Sequence, residues 1–228
     1  MIKKIILSIF AILAITPVIG QQHYNSNIAI GVKGGTTISR TMFAPNVDQK
    51  FLTGAMFGVT FRYIEEKHFG IIAELNFQQR GWSETFDETS YKFNRKLSYI
   101  QIPLLAHIYF GGQRARFFFN AGPEIAFNIG DKISSNFNYN DLTTLPDDFP
   151  LQYRNTDQYT MPIKHKLDYG ISAGLGMEFI AAKRHSIILE GRFYYGLNNI
   201  FGDRKKDVFS ASNAMSIMVT LGYMFRIK

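Results

Sequence analysis

An all-β chain of eight antiparallel strands closed into a barrel is what the sequence predicts, and three observations predict it. Apolar and polar residues alternate with period two through eight separate stretches of about ten residues or more, the pattern of a strand whose two faces meet different environments. The links between these stretches alternate short and long. Cysteine is absent, so neither disulfides nor thiolate ligands hold the fold, and the length suits one all-β domain.

The chain opens with Lys3 and Lys4, an apolar run over 5–15 and the small-residue ending Val18-Ile19-Gly20, which predicts a signal peptide over 1–20 and a mature barrel over 21–228. Loss of the two lysines lowers the formal charge from +7 to +5, basic but not extreme. After Ile19 no apolar run approaches the eighteen or so residues of a spanning helix, so any membrane crossing is made by strands.

The predicted strands are 28–38, 52–64, 69–81, 96–110, 116–130, 167–179, 187–197 and 216–228. The last is the clearest. One face carries Ile217, Val219, Leu221, Tyr223, Phe225 and Ile227, the other Ser216, Met218, Thr220, Gly222, Met224 and Arg226. Within 167–179, Leu167, Tyr169, Ile171 and Leu175 oppose Asp168, Gly170, Ser172, Gly174, Gly176 and Glu178. Short turns fall at 65–68, 111–115 and 181–185, and long polar loops at 39–51, 82–95, 131–163 and 198–211. That alternation predicts short periplasmic turns, long extracellular loops and both termini on the periplasmic side.

The same pattern could be folded the other way, apolar face inward, as in a soluble lipocalin-like barrel. Three features predict lipid outside. Lys33, Arg62, Glu74, Arg80, Glu124, Asp168, Glu178, Glu190, Arg192 and Arg226 stand on the polar faces in the middle of strands, which suits a narrow lumen filled by paired charges. Facing lipid, each would cost about 2–4 kcal/mol at the midplane. Tyr63, Phe110, Phe117, Tyr169, Phe179, Tyr195 and Tyr223 lie on the apolar rows, several near strand ends where a membrane girdle sits. The chain also ends on a strand, and Thr220, Gly222, Phe225 and Ile227 resemble the C-terminal signal by which barrels are recognised for insertion, although Lys228 replaces the usual terminal aromatic.

Gly31-Val32-Lys33-Gly34-Gly35, Tyr99-Ile100-Gln101-Ile102-Pro103-Leu104-Leu105 and Ala121-Gly122-Pro123 resemble the PorT-like outer-membrane β-barrel family over essentially the whole mature chain. The resemblance implies a barrel; the founding member's association with the type IX secretion machinery makes an accessory secretion role the alternative function. Pro103 lacks a backbone donor and is expected to mark a bulge or local bend. The inward glycines 170, 174 and 176 let the wall curve and opposing side chains fill the bore, and no helix follows them to make a phosphate loop.

Residues for chemistry are scarce. Of five histidines only His107 is mid-strand, facing inward beside Gln101 and Leu105, away from the lipid-facing wall where a Ser/His/acid lipid hydrolase would work. The lumen carboxylates are expected to balance Arg62, Arg80 and Arg192, because unpaired buried charge is costly, and eight strands leave no open pore. Lys183-Arg184-His185 and Arg204-Lys205-Lys206 are confined to links, the latter within reach of lipopolysaccharide phosphates; neither has the interleaved aromatics of a nucleic-acid surface. The expected function is a non-enzymatic structural or interaction barrel without cofactor or metal, presenting loops, 131–163 above all. A lipid-modifying enzyme and a narrow channel are the remaining alternatives. Expected partners are outer-membrane lipid and lipopolysaccharide, the barrel-insertion machinery and envelope or secretion proteins, with no nucleic acid.

Overall fold

The computed structural model describes residues 26–86, 90–144, 155–202 and 207–227. The predicted signal peptide, His23, Arg204-Lys205-Lys206 and Lys228 lie outside them. Eight antiparallel strands form one closed barrel in chain order: β1 (Asn27–Ala44), β2 (Leu52–Glu66), β3 (Phe69–Thr85), β4 (Lys92–Gly111), β5 (Ala115–Ser135), β6 (Leu167–Ala182), β7 (His185–Asn199) and β8 (Ala211–Arg226). The barrel closes where β8 pairs with β1, from Ala29↔Arg226 to Ala44↔Ala211. Closure removes the unpaired edges that an open sheet would expose.

The strand period sorts side chains as the alternation predicts. Outward residues such as Val32, Leu104 and Leu175 are exposed, the last at 70%, whereas inward Arg62, Arg80, Glu124 and Glu178 are only 1–2% exposed. A soluble protein folds with the opposite polarity, so the wall is matched to an apolar surround. No helix among the described residues is long and apolar enough to cross a membrane; the strands supply the span.

The three short links are tighter than predicted, with only Lys67 and His68 between β2 and β3 and only Lys183 and Arg184 between β6 and β7. Gly111 closes β4 with φ +130°, where a side chain would be strained and would press on the Ala115 carbonyl oxygen. At the other end the strands run further than the alternation suggests. They reach 15 to 21 residues, against the 9–11 or so that a bilayer crossing needs, so the stretches 39–44, 82–85, 92–95 and 131–135 of the predicted loops are barrel wall. We call these the turn end and the loop end.

Pro103 does not produce the expected bulge. The β3–β4 ladder is interrupted at Glu74 and Leu75 and resumes in the same register at Asn76↔Gln101. The β4–β5 ladder is likewise continuous in register from Pro103↔Glu124 to Ala106↔Ala121. A residue in an antiparallel sheet donates to one neighbour only, so each missing N–H opens a gap on one side without shifting the strands. The irregularity in β4–β5 sits instead at Ser98/Tyr99.

Candidate functional site

Buried charged side chains concentrate in the interior, which is built in layers from the turn end upward. Ile64, Tyr109 and Phe118, with Ile188 packed against them, floor the bore. Above them Arg62 on β2 reaches Glu178 on β6 through two hydrogen bonds of 3.0 and 2.8 Å. Arg192 on β7 donates to Glu74 on β3 at 2.7 and 2.9 Å and to its own neighbour Glu190 at 2.8 Å. Lys33 on β1 completes this cluster at 2.7 Å from Glu74. Strands β2 and β6, and β3 and β7, stand four apart in a ring of eight, so these pairs run straight across the bore.

The next layer is a cation held between rings. Arg80 donates to Asp168 at 2.6 Å, and its guanidinium carbon lies 3.9 Å from the Tyr99 ring centre and 4.6 Å from that of Tyr194. The Tyr194 hydroxyl donates to the same Asp168 oxygen at 2.9 Å. Glu124 has no cation at bonding distance among the described residues and accepts from Ser172 Oγ at 2.6 Å. Neutral amides fill the remaining section: Gln78 donates to Thr37 and Ser216 at 3.3 Å each and accepts from Gln101. Backbone room for these side chains comes from the inward glycines. A Cβ on Gly170 would stand 2.8 Å from the Tyr194 ring, and one on Gly176 would collide with Phe118.

Of the predicted lumen residues, Lys33, Arg62, Glu74, Arg80, Asp168, Glu178, Glu190 and Arg192 form the ion pairs of the bore, and Glu124 lies beside them. Arg226 stands apart, half-buried at the turn-end rim of β8, where its N–H donates to the Arg184 carbonyl at 2.8 Å. His107 Nδ1 lies 2.7 Å from Asn120 Oδ1, and Asn120 in turn donates to Glu190. His68, His165 and His185 instead contact the Tyr109 carbonyl, the Asn199 carbonyl and the Tyr223 hydroxyl. Thr220 and Gly222 face inward on β8, whereas Phe225 lies 5.3 Å from the His185 ring and Ile227 is exposed at the rim. Among the described residues no group of three or more His, Cys, Asp or Glu side chains could hold a metal ion.

Sequence reasoning missed the structure that caps the bore. Phe43, Val47, Trp82, Phe86, Phe93, Tyr159, Ile200, Phe201 and Phe209 converge at the loop end into a buried aromatic crown. Trp82, Phe93, Tyr159, Phe201 and Phe209 are 0% exposed. Its polar ties are specific: Glu84 accepts from Trp82 Nε1, Gln158 and the Tyr159 hydroxyl at 3.1, 3.0 and 2.9 Å. Arg95 bonds Asp131 and the carbonyls of Gln158 and Met161. The available signal was the aromatic content of links that were read as polar loops; the segment 155–163 is in part the lid of this crown rather than a free recognition loop.

A closed eight-stranded wall with its apolar face outward and its charges inward defines an integral β-barrel of the kind that sits in lipid. The family match agrees. The description "Outer membrane protein beta-barrel domain" belongs to the family that matches residues 20–202, and this chain is a member of it. Among solved structures the chain is similar to the Neisserial surface protein A, at 10% identity over 89% of this chain and 99% of that one, with a TM-score of 0.48. It is also similar to the outer membrane protein OprG from Pseudomonas aeruginosa (11% identity, 90% and 99% covered, TM-score 0.47) and to Ail, the attachment invasion locus protein of Yersinia pestis, solved with the heparin analogue sucrose octasulfate (11%, 89% and 100%, 0.42). No curated protein matches the sequence.

Proposed function

We propose that this protein is a non-enzymatic, non-conducting barrel of the outer membrane that acts through the surface at its loop end. The observation that carries this reading is the bore itself: ion pairs cross it between opposite strands, and a buried aromatic crown covers it. Eight strands leave an interior just wide enough for side chains, and here those side chains are bound to one another. What remains to meet partners is the rim above the crown, where loops on a rigid scaffold commonly carry recognition.

In this reading both termini and the short turns are periplasmic, outer-membrane lipid and lipopolysaccharide surround the wall, and the insertion machinery reads Thr220, Gly222, Phe225 and Ile227 on the closing strand. The test is conductance across planar bilayers with protein whose cold and boiled gel migrations differ. Flat current traces are expected; steady unitary steps would sink the proposal. The motifs at 31–35 and 99–105, which resemble the PorT-like family, favour a second reading, an accessory in a protein-secretion apparatus. Recovery of secretion components with the tagged barrel from envelopes would promote it over the first.

A further inference from the structure

The outer wall is electrically lopsided. Among the described outward-facing strand residues, Arg40, Lys92, Lys96 and Lys132 stand at the loop end, and the acids Glu65 and Glu66 stand at the turn end. Two of the cations are direct cross-strand neighbours: Lys96 on β4 pairs in register with Lys132 on β5. Like charges placed opposite one another on a sheet destabilise it, so the pair needs a reason. Neither lysine has a carboxylate partner among the described residues; Asp131, next in sequence, turns to the other face and binds Arg95 at 2.6 Å.

The surroundings leave room for an anion. On one side Lys96 lies against Gly81 of β3, which has no side chain. On the other, β6 leaves the ladder at Phe127↔Leu167, so no strand covers the far side of Lys132. Asn94 and Ser134, paired to each other, form the next outward row above. Below lies the apolar belt of the same two strands, with Ile102, Ile125, Phe127 and Ile129 all exposed. At roughly 3.3 Å per residue, the lysines therefore stand just above the hydrocarbon-matched surface, at headgroup depth.

We propose that Lys96 and Lys132 form a binding site for the phosphate of an outer-leaflet lipid, the anion sitting between the two ammonium groups and its acyl chains lying on the belt beneath. Cross-strand Cβ atoms are about 4.5–5.5 Å apart, a spacing at which two lysine side chains can hold one phosphate. The site rests on the membrane reading above and adds a named lipid contact to it.

The test uses the full barrel in phosphatidylcholine nanodiscs doped with a phosphomonoester lipid, phosphatidic acid or lipid A, with bound lipid counted by native mass spectrometry. Wild type should retain the phosphorylated lipid, and K96Q/K132Q should bind it about thirtyfold more weakly, at the usual contribution of a lysine near an anionic surface. K132E separates binding from folding: it relieves the like-charge pair, so the barrel should keep or gain unfolding resistance while losing the lipid. Equal retention by all three proteins overturns the site. Displacement of the lipid by millimolar inorganic phosphate, or preference for a soluble polyanion over the doped lipid, also overturns it, since the site would then not be a lipid site. Failure of wild type to enter nanodiscs or to show heat-modifiable migration overturns the membrane reading itself, and is seen before any lipid is counted.

Discussion

Arg62 and Glu178 set the terms at the residue scale. Each is almost completely buried, and their two hydrogen bonds join positions 116 apart in sequence. Removing one partner leaves a stranded, buried charge, so Arg62→Ala should destabilise the barrel by about 3–5 kcal/mol, read as a lower urea midpoint in lipid vesicles. The apolar double replacement R62M/E178L should recover most of that loss, because replacing a whole buried pair is often neutral. A double variant no better than the single would show that the bore does not treat the pair as a unit. The inward glycines predict the converse effect: Gly176→Val drives a side chain into Phe118 and should cost about 1–3 kcal/mol by overpacking, measured in the same unfolding series.

Face assignment was legible at this scale because a period of two survives any choice of partner strand. Which charge meets which was not legible. Arg62–Glu178 and Glu74–Arg192 meet only because β2 faces β6 and β3 faces β7 in the closed ring, a property of closure that no local pattern carries. Pro103 was misread for a related reason: the missing donor affects one of its two neighbours, and the register on both sides holds.

At the scale of elements, the loop ends of the strands and the segment 155–163 make the crown, and its residues lay hidden because the alternation lapses there. Gln158 and Tyr159 look like loop residues until Glu84 and Arg95 reach up to them from β3 and β4. Phe201→Ala should loosen this lid at a cost of about 3–5 kcal/mol. Trp82 is the only tryptophan in the chain, so its fluorescence reports the crown directly. Blue emission that shifts red in the Phe201→Ala variant is expected; an unchanged spectrum would mean that the crown does not depend on this ring. The turn end needed no such lid, and the short links expected there are present with small differences in length.

For the whole molecule, two features act together: an apolar exterior matched to lipid and an interior crossed by ion pairs. Among the described residues thirty-six large hydrophobic side chains are exposed, far more than a soluble monomer tolerates as one continuous surface, while the charges that would suit water are turned inward. This arrangement leaves the loop-end rim and the cationic upper wall as the surfaces free to act on other molecules. Because the chain has no cysteine, single cysteines can be placed at will. Bimane attached to L75C and V219C on the outer wall should be quenched by lipids brominated along their acyl chains, whereas bimane at T60C in the bore should not. Quenching of the outer pair alone is the predicted result; quenching at Thr60 with none at Leu75 and Val219 would mean that the barrel is inside out and contradict the account.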